Sequence, residues 1–426
     1  MPIIEHPQRP LWQYLTKRPE VESEELESKI QEILTAVKKS GDAALINFTS
    51  QFDGIDLTDL IVSKSEWEEA SHQVSEELKS AISLAKSNIE KFHSAQKETV
   101  TRIETTKGVT CWRESIPIEK VGLYVPGGTA PLFSTVLMLG IPARLAGCSR
   151  IVLCTPAQKD GSIHPAILYT AHLVGIHEVF KVGGAQAIAA MAYGTDTVPK
   201  VNKIFGPGNA YVTAAKQMVN QQGVAIDLPA GPSEVAILAD QSCQPAFVAS
   251  EILSQCEHGS NSQAIAVCTH KNSLDKILSE LQDQFEHSSR KDFVLKGLKN
   301  SKAILIQDMK ETIAFINEYA PEHLVIQTKE EMNVAMQIKN AGSVFIGNYT
   351  PVAAGDYGSG TNHTLPTSGY AKSYSGVSLD SFLKKITFQH ISQEGINTIG
   401  PAIIAMAEAE GLHAHKNSVA LRINKH

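Results

Sequence analysis

The sequence lacks any run of lysine or arginine, and its 426 residues carry a formal net charge of −7, with a pI near 6.1. Proteins that bind nucleic acid or an anionic membrane surface concentrate positive charge in a patch. Long hydrophobic runs are also lacking. The most apolar stretch, residues 134–147, is interrupted by Pro142 and Arg144 and falls short of the roughly 20 residues that span a bilayer. We therefore expect neither a nucleic-acid partner nor a membrane partner.

A secretory signal and paired cysteines are lacking as well. Residues 1–7 contain no basic segment followed by an apolar core. The six cysteines include no C-x-x-C pair and lie mostly in apolar segments, at positions 111, 148, 154, 243, 256 and 268. We therefore expect a cytoplasmic protein whose cysteines are reduced and packed in the core.

Length and composition indicate a packed protein with more than one domain. Hydrophobic residues make up 42% and charged residues 19%, as in ordinary globular proteins, and a single core stops growing at roughly 250 to 300 residues. The N-terminal part is predicted to be helical, because apolar residues at positions 30, 33, 34 and 37 repeat at helical spacing and stop at Gly41. Ser65 and Glu68 have the spacing of a capping box before a second long helix.

From residue 121 onward the pattern changes to short β-branched runs, each followed by glycine and a helical pattern. Such alternation predicts parallel sheets with crossover helices. The predicted strands are 121–125, 151–153, 179–182 and 203–205 and, after a break at 229–232, 235–238, 264–267, 303–306, 324–326 and 343–346. They predict two doubly wound α/β units. A glycine-rich stretch at 347–377 is too long for an ordinary connection, and a helical segment follows around 396–415.

Three predicted strand–turn–helix junctions contain glycines, at 126–128, 183–186 and 205–209. Glycine lets the backbone approach a ligand, and the helix that follows offers free N–H groups to an anion. None of the three matches G-x-G-x-x-G, and no acidic residue ends a strand at the distance expected for a ribose partner. The junctions indicate either a nucleotide site or ordinary tight turns.

Glu322 and His323 are adjacent, directly after Pro321 and before an apolar run. Their ordinary pKa values differ, at roughly 4 and roughly 6.5, so the pair can carry out two different proton transfers. A solvated glutamate beside a histidine that caps a strand is the alternative.

Several further residues are candidates for binding a metal or a substrate. Gln255 and His258 are three apart on a predicted helix, so they share a face, and Gly259 suggests a C-cap that leaves the imidazole at an open edge. Glutamine is an uncommon zinc ligand, so a polar helix end is the alternative. Asp356 and His363 lie in the glycine-rich stretch.

Ionisable side chains also crowd one predicted helix near the C-terminus, at positions 408, 410, 413 and 415. His413 and His415 are two apart and face opposite sides, so at most one of them serves a given site. A charged helix that faces solvent is the alternative.

Taken together, seven segments in order resemble the histidinol dehydrogenase family, and the resemblance covers nearly the whole chain. They are 121–128, 203–209, 227–234, 255–258, 320–324, 355–366 and 414–417. The resemblance implies NAD-dependent four-electron oxidation of L-histidinol to L-histidine via L-histidinaldehyde, the final step of histidine biosynthesis. It also implies a homodimer with shared active sites and one Zn²⁺ per subunit.

The implied fold is α/β, with two doubly wound Rossmann-like units of the aldehyde-dehydrogenase type and helical N- and C-terminal extensions. We predict an N-terminal extension at 1–22 and a first α/β domain from 23–121 and 235–377, which holds the metal and catalytic residues. An NAD-binding domain at 122–234 and a C-terminal helical dimerisation tail at 378–426 complete the prediction.

The resemblance also implies a role for each candidate residue. Zinc would be held by Gln255, His258, Asp356 and His415 of the partner subunit, and these four would also contact the substrate. Ser233, His363 and Glu410 match substrate-binding positions, while Tyr124, Gln186 and Asn209 match positions that contact NAD. His323 would contact the substrate and act as the base for both oxidations, and Glu322 would help to activate the water that adds to the aldehyde.

Three other functions are alternatives. A thiol-dependent aldehyde dehydrogenase would use Cys256 as its nucleophile. On a helix, however, Cys256 points about 100° away from Gln255, so we expect it to pack in the core. A zinc-dependent hydrolase would use the same ligands, with Glu322 as the base for a metal-bound water. A non-catalytic binding protein gives no reason to place acid, base and metal ligands together.

Overall fold

The structure, a computed structural model, describes residues 1–19, 24–127, 131–229, 231–288 and 290–423. Gly128 of the first glycine junction and Ala230 of the predicted break lie outside the described residues. The predicted boundary between residues 22 and 23 and the last three residues of the predicted tail lie outside them too.

Helices and strands alternate along most of the chain. The helices are α1 (Arg9–Leu15), α2 (Glu24–Asp53), α3 (Lys64–Gln73), α4 (Glu76–Ser94), α5 (Phe133–Ala146), α6 (Pro165–Leu173), α7 (Gly184–Tyr193), α8 (Ala210–Gln221), α9 (Pro245–Cys256), α10 (Lys271–Glu286), α11 (Lys291–Asn300), α12 (Met309–Tyr319), α13 (Glu331–Ala335), α14 (Gln393–Ala409) and α15 (His413–Ile423). The strands are β1 (Ile3–Glu5), β2 (Arg102–Thr106), β3 (Val109–Pro117), β4 (Lys120–Tyr124), β5 (Arg150–Thr155), β6 (Glu178–Lys181), β7 (Lys203–Phe205), β8 (Ala225–Ile226), β9 (Glu234–Ala239), β10 (Gln263–Cys268), β11 (Lys302–Leu305), β12 (His323–Gln327), β13 (Ser343–Ile346) and β14 (Leu383–Ile391).

The larger sheet is parallel, with the strand order β1-β11-β10-β9-β12-β13. Every residue of β9, β10 and β12 is buried, as expected for a parallel sheet that is covered on both faces. His323 is the first residue of β12, where it pairs with Val235 of β9 and Ser343 of β13. The Glu322–His323 pair therefore lies at the amino-terminal edge of this sheet.

The smaller sheet is also parallel, with the strand order β6-β5-β4-β7-β8. From β4 the chain adds β5 and β6 on one side and β7 and β8 on the other, so a crevice opens at the carboxyl ends beside β4. The prediction of an α/β protein with parallel sheets is confirmed, and each predicted strand is present. The finer description, two doubly wound Rossmann-like units, stays a prediction.

The helices that precede the smaller sheet pack differently from the predicted grouping, which joined 23–121 to 235–377. Ile30 and Leu34 of α2 share a hydrophobic core with Ile188 of α7. Ile82 of α4 shares another with Val136 of α5. Residues 24–94 thus bury their apolar faces against the smaller sheet's helices, and the domain boundaries otherwise stay a prediction.

Two local details of these helices also differ from prediction. The chain does not leave the helix at Gly41: α2 continues past it with a kink, and Gly41 has φ +50°. The capping box is formed by Ser63 and Glu66 instead of Ser65 and Glu68, and it begins the short helix α3. The predicted serine–glutamate spacing is present, but the capping box lies two residues earlier in the sequence than predicted. Both pairs have the required residue types, so the pattern alone does not distinguish them.

Residues 383–391 of the predicted helical tail form a strand instead of a helix. β14 pairs antiparallel with β3, and β2 joins the other side of β3 to give a third sheet. The tail then continues as α14 and α15, on which Met406 and Leu421 are 66% and 59% exposed, and Leu412 in the turn between them is 43% exposed. None of the helices in the described ranges has the length and apolarity that crossing a bilayer requires.

Candidate active site

A tight turn delivers Glu322 and His323 to the start of β12. Helix α12 ends at Tyr319, and Ala320 adopts the left-handed conformation with φ 52° while its N–H donates to the Ile316 carbonyl at 2.8 Å. Such an αL residue ends a helix, and Pro321 prevents its continuation. Glu322 and His323 are then buried, at 6% and 5% exposure.

Both side chains of the pair are held by the backbone of one residue, Glu234. The Glu234 N–H donates to Glu322 Oε2 at 2.9 Å, and His323 Nδ1 lies 3.2 Å from the Glu234 carbonyl oxygen. A carbonyl only accepts, so Nδ1 carries a proton, and Nε2 has the free lone pair when the imidazole is neutral. Nε2 is buried and has no hydrogen-bond partner among the described residues.

The two members of the pair are also coupled to each other. Glu322 Oε2 lies 3.4 Å from His323 Nδ1, so the carboxylate faces the protonated nitrogen. Burial acts to lower the pKa of His323, but the Glu322 carboxylate, the Asp356 carboxylate and the Glu234 carbonyl raise it to about 9. The sequence predicted two separate proton-transfer roles, and the geometry adds a direct electrostatic contact between them.

Asp356 and His363 belong to the same cluster. Asp356 lies in a π-helical turn, Ala354–Gly358, and its carbonyl oxygen is 3.2 Å from His363 Nδ1. His363 Nε2 is 3.2 Å from Thr135 Oγ1 of α5. Burial lowers the pKa of His363. These contacts bring the glycine-rich stretch against the smaller sheet's unit, beside His323.

Helix α9 presents Glu251 and Gln255 toward this stretch. They are four residues apart and so share a face, and both are buried, at 7% and 3% exposure. Glu251 Oε2 accepts the Val352 N–H at 3.1 Å. Burial raises the pKa of Glu251, and the charge of Asp356 raises it further. Gln255 Nε2 is buried without a hydrogen-bond partner in the described structure.

His258 does not lie on the helix that carries Gln255, contrary to prediction. Helix α9 ends at Cys256 with Glu257 as its C-cap, so Gly259 is not the cap. His258 follows in the turn, where its N–H donates to the Gln255 carbonyl at 3.3 Å, and its side chain is exposed. The predicted open position of the imidazole is nevertheless present.

The two predicted site residues of the C-terminal tail lie apart from this cluster. Glu410 is the C-cap of α14 and His415 lies in α15, so the four ionisable residues divide between two helices instead of crowding one. Both side chains are exposed. Within the described ranges, no group of three His, Cys, Asp or Glu side chains of one chain could hold a metal ion. The ligand set implied by the resemblance differs from such a group, because it includes a glutamine and a histidine of a partner subunit.

Ser233 lies directly before β9, next to Glu234, and is half-buried. Its carbonyl accepts the Gln263 N–H at 3.2 Å. This position puts its hydroxyl on the segment that also holds Glu322 and His323.

Tyr124, Gln186 and Asn209 line one cleft of about 1410 Å³ at the carboxyl ends of β4, β6 and β7. The Tyr124 hydroxyl accepts the Gly184 N–H at 3.1 Å, and burial raises the pKa of Tyr124 to about 12. Asn209 caps α8 by accepting the Val212 N–H at 3.1 Å. The helices α7 and α8 thus begin at the cleft, where the positive ends of their dipoles suit an anionic ligand.

Gly206 lies three residues before Asn209, and glycine is required there for a steric reason. Its φ is +130°, and a Cβ atom there would lie 2.1 Å from the Tyr124 carbonyl oxygen. Any side chain would therefore displace the end of β4.

Cys256 packs in the core, as predicted. It is 0% exposed, its Sγ is 3.8 Å from Ser301 Oγ, and burial raises its pKa to about 11. A thiol in this environment stays protonated at neutral pH and is a poor nucleophile.

Sequence reasoning did not identify Arg18, Thr135, Glu234 or Glu251 as site residues. Glu251 had a signal, because an acidic residue one turn before Gln255 lies on the same face. Glu234 is the last residue of the resembling segment 227–234, and an acidic residue that opens an otherwise apolar strand needs a partner. No local sequence pattern indicates Arg18 or Thr135, since each contacts the site only in the tertiary structure.

Solved structures with the same overall fold are known. The chain matches the crystal structure of histidinol dehydrogenase from Elizabethkingia anophelis with a TM-score of 0.97 at 53% identity, covering 99% of this chain and 98% of that chain. An acetylating aldehyde dehydrogenase from Geobacillus thermoglucosidasius matches with a TM-score of 0.50 at 13% identity, over 89% of this chain and 94% of that chain. The second likeness concerns the fold alone, and it confirms the predicted relation to aldehyde dehydrogenases at that level.

Sequence comparison gives the family. A histidinol dehydrogenase from Bacteroides fragilis is 56% identical over 425 residues, which are 100% of this chain and 99% of that protein. One from Aliivibrio fischeri is 47% identical over 412 residues, covering 96% and 93%. The family model described as Histidinol dehydrogenase matches residues 16–423. The chain therefore belongs to the histidinol dehydrogenase family.

Proposed function

We propose that the chain oxidises L-histidinol to L-histidine through L-histidinaldehyde, in the final step of histidine biosynthesis. The observation that carries the proposal is the Glu322–His323 pair, buried and fixed at the edge of β12, in a chain that belongs to this family. Two successive oxidations at one carbon need a base for each oxidation and a base for the water between them.

His323 is the base for both oxidations in this proposal. Its Nδ1 donates to the Glu234 carbonyl, which leaves the buried and unpartnered Nε2 free to accept a proton. The substrate's alcohol gives up its proton to Nε2 in the first oxidation. His323 releases that proton to solvent, and the hydrated aldehyde then gives up a proton to Nε2 in the second oxidation. The Glu322 carboxylate beside Nδ1 stabilises the imidazolium that each transfer produces.

Glu322 also acts on the water that adds to the aldehyde. Its Oε2 is occupied by the Glu234 N–H, so the other carboxylate oxygen is the one that accepts a proton from water. Addition of water to the carbonyl carbon gives the hydrate, from which the second oxidation produces the carboxylate of histidine.

We infer that NAD occupies the cleft lined by Tyr124, Gln186 and Asn209. NAD supplies the acceptor for one hydride in each oxidation. The reversal of strand order at β4 and the helix N-termini of α7 and α8 support this position. The same features support a Rossmann-like description of this unit.

We infer that Zn²⁺ is held by Gln255, His258, Asp356 and His415 of the partner subunit. Two imidazoles and two oxygen donors are a suitable ligand set, and zinc would orient the substrate's imidazole and amine through its open positions. Gln255 would coordinate through its amide oxygen Oε1, whereas its buried and unpartnered Nε2 is a donor and is not a metal ligand. The substrate would be positioned by the bound metal, and His323 would move the protons.

A homodimer with shared sites follows from this ligand set, since His415 lies on a helix apart from the other three residues. The exposed apolar side chains of α14 and α15 are suited to contact a second subunit. The dimer, the substrate contacts of Ser233, His363 and Glu410, and the cytoplasmic location stay predictions.

The test is a spectrophotometric assay of the purified protein with L-histidinol and NAD, with and without a metal chelator. We expect two NADH per histidinol and a rate that falls when the metal is removed. Absence of NADH production by the metal-loaded protein would refute the proposed reaction, and full activity after metal removal would refute the role of zinc.

A further inference from the structure

We propose that Arg18 and Glu234 form a positioning clamp that holds Glu322 and His323 in their reactive arrangement. The inference rests on the proposed function, because it assigns a role in that function to two residues outside the predicted site. Neither residue needs to touch the substrate.

The clamp begins with a bidentate ion pair between residues far apart in the chain. Arg18 Nε and Nη2 each donate to one oxygen of the Glu234 carboxylate at 2.8 Å, across 216 positions of sequence. Glu234 is 1% exposed, and the Arg18 side chain is 17% exposed. The planar guanidinium matches a carboxylate in a fixed geometry, which a lysine cannot reproduce.

Arg18 also holds the end of the helix that leads into the pair. Its Nη2 donates to the Tyr319 carbonyl at 2.6 Å, and its guanidinium lies over the Tyr319 ring at 3.9 Å from the centroid. Tyr319 is the last residue of α12. Arg18 therefore connects the start of β9 with the turn from which Glu322 and His323 emerge.

Glu234 transmits this connection through its backbone. Its N–H fixes Glu322 Oε2, and its carbonyl fixes His323 Nδ1. The second contact also sets the tautomer, because it keeps the proton on Nδ1 and leaves Nε2 as the base. A shift of Glu234 would move the carboxylate and the imidazole together.

Loss of Arg18 leaves a buried carboxylate without its counter-ion, next to the Glu322 carboxylate. A buried unpaired charge is strongly unfavourable, so Glu234 would move toward water or take up a proton. Misplacement of a reacting group by about 1 Å can cost roughly 100-fold in rate. We therefore expect an effect on turnover that exceeds the effect on binding.

The test compares Arg18→Ala with Arg150→Gln. Arg150 forms a similar bidentate pair with Glu178, at 2.8 and 2.9 Å, but that pair is exposed and lies in the smaller sheet. We expect kcat of Arg18→Ala to fall roughly 10- to 100-fold, with little change in KM for histidinol or in zinc content. Arg150→Gln should match the wild-type protein. Added guanidinium ion should restore part of kcat in Arg18→Ala, and potassium at equal ionic strength should not.

The double variant Arg18→Ala/Glu234→Gln serves if Arg18→Ala fails to fold, since it removes the unpaired charge. We expect this double variant to fold and bind zinc. Its kcat should still be reduced, because the backbone of residue 234 is no longer held by the arginine. Wild-type kcat in a folded variant of either kind would overturn the clamp, as would a loss of activity that follows loss of zinc and is not restored by guanidinium. An inactive wild-type protein in the same assay would instead refute the proposed function.

Discussion

Replacing Asp227 with asparagine is expected to destabilise the smaller sheet's unit and to weaken NAD binding. Asp227 forms a buried ion pair with Lys216, and the two side chains are 0% and 4% exposed. Asp227 Oδ2 accepts the Gly206 N–H at 2.8 Å, and Oδ1 accepts the Leu228 N–H at 2.7 Å. Lys216 Nζ donates to the Gly206 carbonyl at 2.8 Å. The pair thus holds both backbone groups of Gly206, three residues before Asn209, which lines the cleft where we propose that NAD binds.

The size of the effect follows from burial. An asparagine has one acceptor oxygen and one donor amide, so it cannot accept both N–H groups, and Lys216 loses its counter-charge. Removing one partner of a buried pair costs roughly 3–5 kcal/mol. If the unit unfolds as one block of roughly 200 residues, this corresponds to a fall in Tm of about 6 °C or more.

The assay is differential scanning calorimetry combined with KM for NAD. Arg150→Gln is the matched control, because it breaks an ion pair in the same sheet whose side chains are 41% and 39% exposed. An exposed pair contributes about 1 kcal/mol or less, so its Tm should fall by no more than about 4 °C. The double variant Asp227→Asn/Lys216→Met should lose less than the sum of the two single variants, since no unpaired charge remains. A fall in Tm for Asp227→Asn no larger than the control's would refute the reasoning.

Four other predictions concern the site. His323→Ala should lower kcat by at least about 100-fold and retain zinc, whereas His258→Ala should lose zinc. Metal analysis and steady-state rates of both variants check this. Loss of zinc in His323→Ala would contradict its role as the base. Because His323 must be unprotonated to accept a proton and its pKa is raised to about 9, the rate of histidinol oxidation should rise with pH up to that region. Glu322→Gln should move the rise to lower pH by removing the carboxylate that raises this pKa; an unshifted profile would argue against the coupling. Cys256→Ala should keep wild-type kcat, and a large loss would favour the thiol-dependent alternative. A mixture of His415→Ala and His258→Ala subunits should regain activity, since one site of each heterodimer is intact; failure to regain it under conditions of subunit exchange would count against shared sites.

Several site residues were predictable from local pattern and family resemblance. Glu322 and His323 stood out as neighbouring ionisable residues at the start of an apolar strand, and the structure buries both there. Tyr124, Gln186 and Asn209 line one cleft. Gln255 and Asp356 lie on two segments, α9 and the glycine-rich stretch, that the Glu251–Val352 hydrogen bond holds together. The resemblance identifies these residues because it depends on the order of short sequence segments along the chain. That order can be read without knowing how the segments pack.

The sequence by itself determined the parallel α/β architecture, since strand and helix periodicities depend on the nearest few residues along the chain. The tertiary structure alone decided which elements meet. It paired β3 with β14 as an antiparallel sheet in a segment predicted to be helical, and it placed the N-terminal helices on the smaller sheet. It also brought Arg18 to Glu234 across 216 residues. Such contacts leave no periodic signal, because the free energy that fixes them comes from burial and charge pairing between segments that are remote in sequence.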